Sequence, residues 1–288
     1  MGVWRRSRAV RSRPICDPPL QHAWVSELRS GRVAEAMSKY VLTGGTTGIG
    51  AATRDQLVHL GHEVINLDIR EGDYTIDFSN VEDSIATLTQ ISAAVGAIDG
   101  IVTCAGVASH FPDKEKILDI NYWGTVNVIT ALQQNLCDGA RIVAISSNSA
   151  PQCRHPDLIE AMLELDRARA HALAADLTGH DCYAGSKQAV ARWVRQQAPS
   201  YARQGVGINA IAPGYIETPM TQAVAQSEQY GDAIKAFVES IPLGRAGQPE
   251  DIAALITFLL SPSAAFIAGS LIYADGAHDA VFRPDLAP

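Results

Sequence analysis

The stretch that most restricts the fold is residues 39–68. Lys39-Tyr-Val-Leu-Thr43 is a short apolar run that ends in Gly44-Gly-Thr-Thr-Gly48-Ile-Gly50. From Ile49 to Leu60 the apolar period becomes helical, with Ile49, Ala52, Leu57 and Leu60 at core spacing, and Gly61 stops it. Glu63-Val-Ile-Asn-Leu67 predicts a second strand with Asp68 at its end. Strand, glycine-rich turn, helix, strand and acid, in that order, is what a chain needs to set main-chain N–H groups and a helix N-terminus against a pyrophosphate. Gly44, Thr47, Gly48, Ile49 and Gly50 are the residues expected along it. Asp68 follows Gly50 by 18 positions, where a carboxylate, with Ile69 beside it, can bind adenosine ribose hydroxyls. That carboxylate would repel a 2′-phosphate, so NAD(H) is the expected cofactor. Arg70 is the kind of residue that accommodates such a phosphate, so the residues alone leave NADP open.

Alternation continues downstream. A polar stretch containing Asp77 and Phe78, placed near the adenine, precedes a helical run at 81–95. Residues 98–102 read as a strand ending in Cys104-Ala105-Gly106, where small residues let a cofactor pass close to the main chain. Asn121 falls in a periodic segment, 115–135, and Arg141-Ile-Val-Ala-Ile145 reads as a strand that ends at Ser146-Ser147. Apolar strands separated by helices predict one doubly wound α/β domain, a mostly parallel sheet with helices on both faces.

Tyr183 and Lys187 stand four apart, hence on one helical face, followed by Ala189, Val190, Trp193, Val194 and Ala198 as a packing stripe. A phenol titrates near pH 10, too high for a base at neutral pH, with a typical value of about 10. A neighbouring ammonium and a positively charged nicotinamide would lower it, making Tyr183 a proton donor in reduction and an acceptor in oxidation. Ser147 can hydrogen-bond the substrate oxygen as charge develops on it.

With the glycine-rich turn, Ser147, Tyr183-x-x-x-Lys187 and Pro213-Gly214 in this order, the chain resembles the short-chain dehydrogenase/reductase family over about residues 39–276. The resemblance implies a Rossmann fold and an NAD(H)-dependent alcohol/ketone oxidoreductase. It implies a catalytic tetrad of Asn121, Ser147, Tyr183 and Lys187, in which the asparagine holds a water that links the lysine to solvent. Tyr183 and Lys187 would also touch the cofactor. Cys104-Ala105-Gly106 matches the family's Asn-Asn-Ala-Gly stretch only in its last two positions. Pro213, Gly214, Ile216 and Thr218 correspond to the segment that borders the nicotinamide.

One departure stands out. Ser147 and Tyr183 lie 36 positions apart, far beyond the family's usual short link. The insertion, about 152–180, reads as helical: Leu158, Met162 and Leu165 recur at helical spacing after Pro156-Asp157. It is expected beside the active-site mouth, where it would also alter or block subunit assembly. The insert, Asp68-Ile-Arg70 and the ending Asp275-Gly-Ala-His-Asp-Ala-Val-Phe-Arg-Pro resemble the bacterial hydroxysteroid-oxidising members of the family. That implies 3-hydroxysteroid/3-ketosteroid pairs, or xenobiotic aldehydes and ketones, as substrates. Residues 218–240, with Pro219, Met220, Phe237 and Val238, are expected to form a helical substrate lid. Helical periodicity in Ile252, Leu255, Ile256 and Leu259 predicts core, and Ser270-Leu-Ile-Tyr-Ala274 a last strand.

A formal charge of -8 argues against nucleic acid or an anionic membrane as partner. No apolar run is long enough to span a bilayer. The five cysteines form no CxxC pair and have no histidine at ligand spacing, so neither a disulfide framework nor a metal is expected. Reduced thiols in a cytoplasmic protein fit best. Residues 1–36 carry seven arginines against three acids, leaving 16 basic and 28 acidic residues in the rest. A transit peptide, a disordered or loosely docked arm, and sequence translated upstream of a start at Met37 are the competing readings, the last two favoured. The catalytic domain is expected over 37–288, working as a homodimer or homotetramer. Two alternatives stay open: the same chemistry on a sugar, 3-oxoacyl thioester or aromatic diol, and a non-catalytic dinucleotide-binding regulatory protein.

Overall fold

The structure, a computed structural model, describes residues 37–219, 221 and 231–285. The basic segment 1–36 and Met220 of the expected lid lie outside the described residues. Branched and apolar runs become β1 (Lys39–Thr43), β2 (Glu63–Asp68), β3 (Tyr74–Thr75), β4 (Ile98–Thr103), β5 (Leu136–Ile145), β6 (Gly207–Pro213) and β7 (Leu271–Ala274). Among the described residues they form a sheet of order β3-β2-β1-β4-β5-β6-β7, and each adjacent pair is parallel. β3 is a two-residue edge strand, too short to leave a pattern in the sequence.

Parallel neighbours need crossovers, and helices supply them on both faces. The strand period of two divides the core. Val41, Ile101 and Ile142 face one way, onto Leu88 of α2 (Val81–Ala94), Ile129 of α4 (Gly124–Leu132) and Val190 of α7 (Gly179–Ala202). Their sequence neighbours Leu42, Val102 and Val143 face the other way, onto Leu57 of α1 (Gly48–His59) and Ile256 and Leu259 of α9 (Pro249–Leu260). Each such side chain, fully buried, contributes about 1.5–3 kcal/mol. β1 lies between β2 and β4, so the chain departs to opposite sides there and opens a crevice beyond the carboxyl ends of the strands.

Three local features position the site. The expected 115–135 helix is divided: α3 (Lys114–Leu118) runs into a π-helical turn, Asp119–Trp123, before α4. Hydrophobic period does not register that extra width. The helix bearing Tyr183 and Lys187 begins at a capping box, in which Thr178 Oγ1 accepts from Asp181 N at 3.1 Å and Asp181 Oδ2 from Thr178 N at 3.1 Å. The insertion is two helices, α5 (Pro156–Leu163) and α6 (Arg167–Ala174). Leu158 and Met162 are buried as expected, but Leu165 is not part of their stripe: it is 57% exposed with φ of 60°. It stands where glycine usually ends a helix, with Leu165 N donating to Met162 O (2.9 Å) and Asp166 N to Ala161 O (2.9 Å).

α8 (Gly231–Glu239) and α10 (His278–Phe282) complete the described helices. None of these is long and apolar enough to cross a membrane. Among the described residues Cys104, Cys153 and Cys182 are free thiols.

Candidate active site

The crevice is a cleft of about 330 Å³. Its first wall is the β1–α1 turn, where Gly44 and Gly48 have φ of 71° and 56°. A Cβ on Gly50 would stand 2.0 Å from the Gly44 carbonyl oxygen, so the turn closes only around glycine. α1 has no side-chain cap at Thr47 and no acid in its first turn, so its N-terminal N–H groups are left for an anion. The turn is buttressed by Asn66, whose Oδ1 accepts from Gly45 N at 2.9 Å. Sequence reasoning passed over that strand residue because its alternation reads as ordinary.

Asp68 stands at the end of β2, its carboxylate accepting from Thr46 N (3.1 Å) and Arg70 N (3.3 Å). With Ile69, Asp77 and Phe78 it lines one end of the cleft; Cys104, Ala105 and Gly106 line the middle. Ser147, Tyr183, Lys187, Pro213, Gly214, Ile216 and Thr218 line the far end. These glycines, the uncapped helix end and the carboxylate fit a dinucleotide. Ile76, Val107, Ile120, Ile145 and Ser146 also line the cleft and were missed. Thr221 has a visible role, since its Oγ1 donates to Ile216 O (2.7 Å) and accepts from Thr218 N (2.8 Å). From the lid expected at 218–240, Thr218, Pro219 and Thr221 reach the cleft. The Phe237 ring instead packs on His278, with centroids 4.6 Å apart.

At the far end, β5 delivers Ser147, whose Oγ lies 2.9 Å from Ser149 Oγ. The second turn of α7 presents Tyr183, and Lys187 follows one turn on. Lys187 Nζ donates to Ile145 O at 3.0 Å. Burial pulls the Lys187 ammonium down to about 8, with Cys104 acting the other way. Burial also pushes the Cys104 thiol up to about 12. The Tyr183 phenol lies above its usual range, again through burial, opposed by a hydrogen bond with Ser147. Desolvation disfavours the charged phenolate.

Asn121 does not itself line the cleft. It is wholly buried in the π-helical turn. Its Oδ1 accepts from Val107 N (2.8 Å), and its Nδ2 donates to Val107 O (3.0 Å) and Ser186 Oγ (3.3 Å). It therefore clamps the loop after β4 to α7. A Cβ on Gly106 would meet Asn121 Oδ1 at 3.0 Å and Lys187 Nζ at 3.4 Å, so asparagine and lysine converge there. A second cavity, about 530 Å³, lies by Tyr215 and Tyr273, but its arginines are taken up. Arg245 pairs with Asp251, and Arg283 with Asp279 and Tyr273.

Comparison with known proteins places this geometry in a class. The family model described as "short chain dehydrogenase" matches residues 39–155, and that described as "Enoyl-(Acyl carrier protein) reductase" matches 168–277. The chain is 36% identical over 256 residues to the 3-alpha-hydroxysteroid dehydrogenase/carbonyl reductase of Comamonas testosteroni, covering 86% of this chain and 99% of that one. The crystal structure of the 3-alpha-hydroxysteroid dehydrogenase from Pseudomonas sp. B-0831, complexed with NADH, is similar with a TM-score of 0.81 and 35% identity. It covers 87% of this chain and 100% of that one. A cis-4-hydroxycyclohexanecarboxylate dehydrogenase of Sinomonas cyclohexanicum is 29% identical, covering 84% of this chain and 96% of its own. The chain belongs to the short-chain dehydrogenase/reductase family. It is a dinucleotide-binding oxidoreductase of small alcohol or carbonyl substrates.

Proposed function

We propose that the chain catalyses NAD(H)-dependent, reversible oxidation of a secondary alcohol and reduction of a ketone or aldehyde. Its substrates are 3-hydroxysteroid/3-ketosteroid pairs or xenobiotic carbonyls. The observation that carries the chemistry is the meeting of Ser147, Tyr183 and Lys187 at one end of a cleft whose other end is Asp68. Similarity to the Comamonas and Pseudomonas enzymes supports the steroid class. The Asp68 carboxylate, set where a 2′-phosphate would come, supports NAD(H) over NADP(H).

Bound NAD(H) supplies or accepts the hydride at the substrate carbon. Everything else falls to the chain. Ser147 donates a hydrogen bond to the substrate oxygen and holds the carbonyl carbon in place. Tyr183 gives its phenolic proton to the oxygen as negative charge builds there. Lys187, drawn toward neutral pH by the same burial, keeps a cation at the tyrosine's side of the cleft and binds the nicotinamide ribose. Asn121 holds the loop against which both work, and supports the route by which Tyr183 recovers its proton. Oxidation runs the same transfers backward. The working assembly in this proposal is a homodimer or homotetramer, supported by the exposed aromatic rings of Phe258, Phe266 and Phe282.

Turnover of a 3-ketosteroid, an aromatic aldehyde, an aldohexose, a 3-oxoacyl thioester and an aromatic diol, each with both cofactors, tests this. Highest kcat/KM for the steroid or aldehyde with NADH is the expected result. Preference for another substrate, or for NADPH, would replace the corresponding part.

A further inference from the structure

Asp119, the first residue of the π-helical turn, is a carboxylate only 2% exposed. A charge at that depth is tolerated only when paired. Its partners come from the insertion. Arg167 of α6 donates from Nε to Oδ1 (2.9 Å) and from Nη2 to Oδ2 (2.8 Å), a planar two-pronged grip that fixes direction as well as distance. The remaining Nη1 of Arg167 reaches Glu82 Oε1 of α2 at 2.6 Å. His171, one turn further along α6, brings Nε2 to 2.9 Å from Asp119 Oδ1 and Nδ1 to 3.3 Å from Glu115 Oε2.

The same imidazole meets Trp123 edge to face, with ring centroids 6.0 Å apart. Trp123 is the last residue of the π turn. The insertion therefore grips both ends of a five-residue turn whose middle residue is Asn121. Lys114 completes the contact by donating from Nζ to Ala175 O (2.6 Å) and Leu177 O (2.9 Å), beyond the end of α6.

A π turn is a rare, widened geometry, found mostly as a single turn inside an α-helix and often at functional sites. Reversion to α-helix here would rotate Asn121 off Val107 and release the loop at Gly106, on which Lys187 Nζ converges. We propose that Arg167 and His171 are positioning residues for the proton-transfer group: the insertion acts as an ionic clamp that keeps the Asp119–Trp123 turn π-helical and Asn121 in register. This rests on the proposed roles of Asn121, Tyr183 and Lys187. It gives the insertion a part in turnover, although neither Arg167 nor His171 lines the cleft.

Arg167→Met in the full chain tests the clamp through two readouts. The expected results are a kcat lower by about 10- to 100-fold with NADH affinity unchanged, and faster amide hydrogen exchange in peptides spanning 119–124 with sheet peptides unaffected. Arg167→Lys should recover only part of the loss, because an ammonium cannot span both Asp119 oxygens. In an Asn121→Ala background Arg167→Met should cost almost nothing further, since its effect passes through Asn121. Should Arg167→Met alone leave an unpaired carboxylate that prevents folding, Asp119→Asn/Arg167→Met removes both charges and carries the same expectations. Wild-type kcat and exchange in a folded variant would overturn the clamp, as would an equal fall in kcat in both backgrounds. If the unaltered protein turns over no carbonyl substrate, the proposed function fails, and hydrogen exchange still decides whether the clamp exists.

Discussion

At the Gly44–Gly50 end of the cleft the groups offered to a ligand are main-chain N–H donors, shaped by glycines and aided by the carboxylate of Asp68. At the Ser147–Lys187 end they are side chains drawn from β5 and α7, steadied by Asn121 from the π turn. The first end is assembled within residues 43–68, from elements adjacent in the chain. The second joins residues 106, 121, 147, 183 and 187, and its outer support reaches α6. Local turn chemistry shapes the first end, whereas the second is held by contacts distant along the chain. The two ends should therefore fail differently when altered.

The largest separation is expected from Tyr183→Phe. Removing the phenolic proton should lower kcat by on the order of 1,000-fold, while quenching of protein fluorescence by NADH persists. Near wild-type turnover would remove the proton-transfer end from the comparison. Lys187 gives the next effect. Its folded-state value of about 8 lies below its ordinary 10.5, so between these the unfolded chain binds the extra proton and stability rises with pH. Below pH 8 the buried ammonium exerts its full cost. Denaturant titrations of the cofactor-free protein from pH 8 to 10.5 should show a gain of up to about 3 kcal/mol that Lys187→Met lacks. Identical slopes for both proteins would refute the burial argument.

At the binding end Gly50→Ala is the sharper probe. Its Cβ would press on the Gly44 carbonyl, so the turn must open, at about 1–3 kcal/mol of stability. NADH affinity should weaken with it, and kcat at saturating cofactor should change least. A fall in kcat alone would mean that the two ends are not separable. The smallest effect concerns cofactor choice: Asp68→Asn should shift the NADH-to-NADPH ratio of kcat/KM by about tenfold toward NADPH, near 1.4 kcal/mol. No shift would leave Asp68 a brace for Thr46 N and nothing more.

How much of this was legible follows from distance along the chain. The β1–α1–β2 unit could be read because glycine, helical period and Asp68 are local signals. The sheet's all-parallel order was nearly as accessible, since runs such as Arg141–Ile145 are apolar on both faces. The π turn was not legible, because Asp119–Trp123 carries the same apolar period as an α-helix. Nor was Leu165, which ends α5 in a conformation glycine normally supplies. The Asp119–Arg167 pair spans 48 positions, and no spacing rule links two such residues.

The order of elements, the class of ligand and the identities of Ser147, Tyr183 and Lys187 were set by sequence alone. These rest on backbone propensity and on which functional groups exist. Tertiary structure decided the protonation and posture of those groups. It raised the Tyr183 phenol above its ordinary range by desolvation, turned Lys187 onto Ile145 O, and placed Asn121 behind the cleft under the insertion's grip. Such properties depend on desolvation and on partners brought together by packing, and both exist only once the chain has folded.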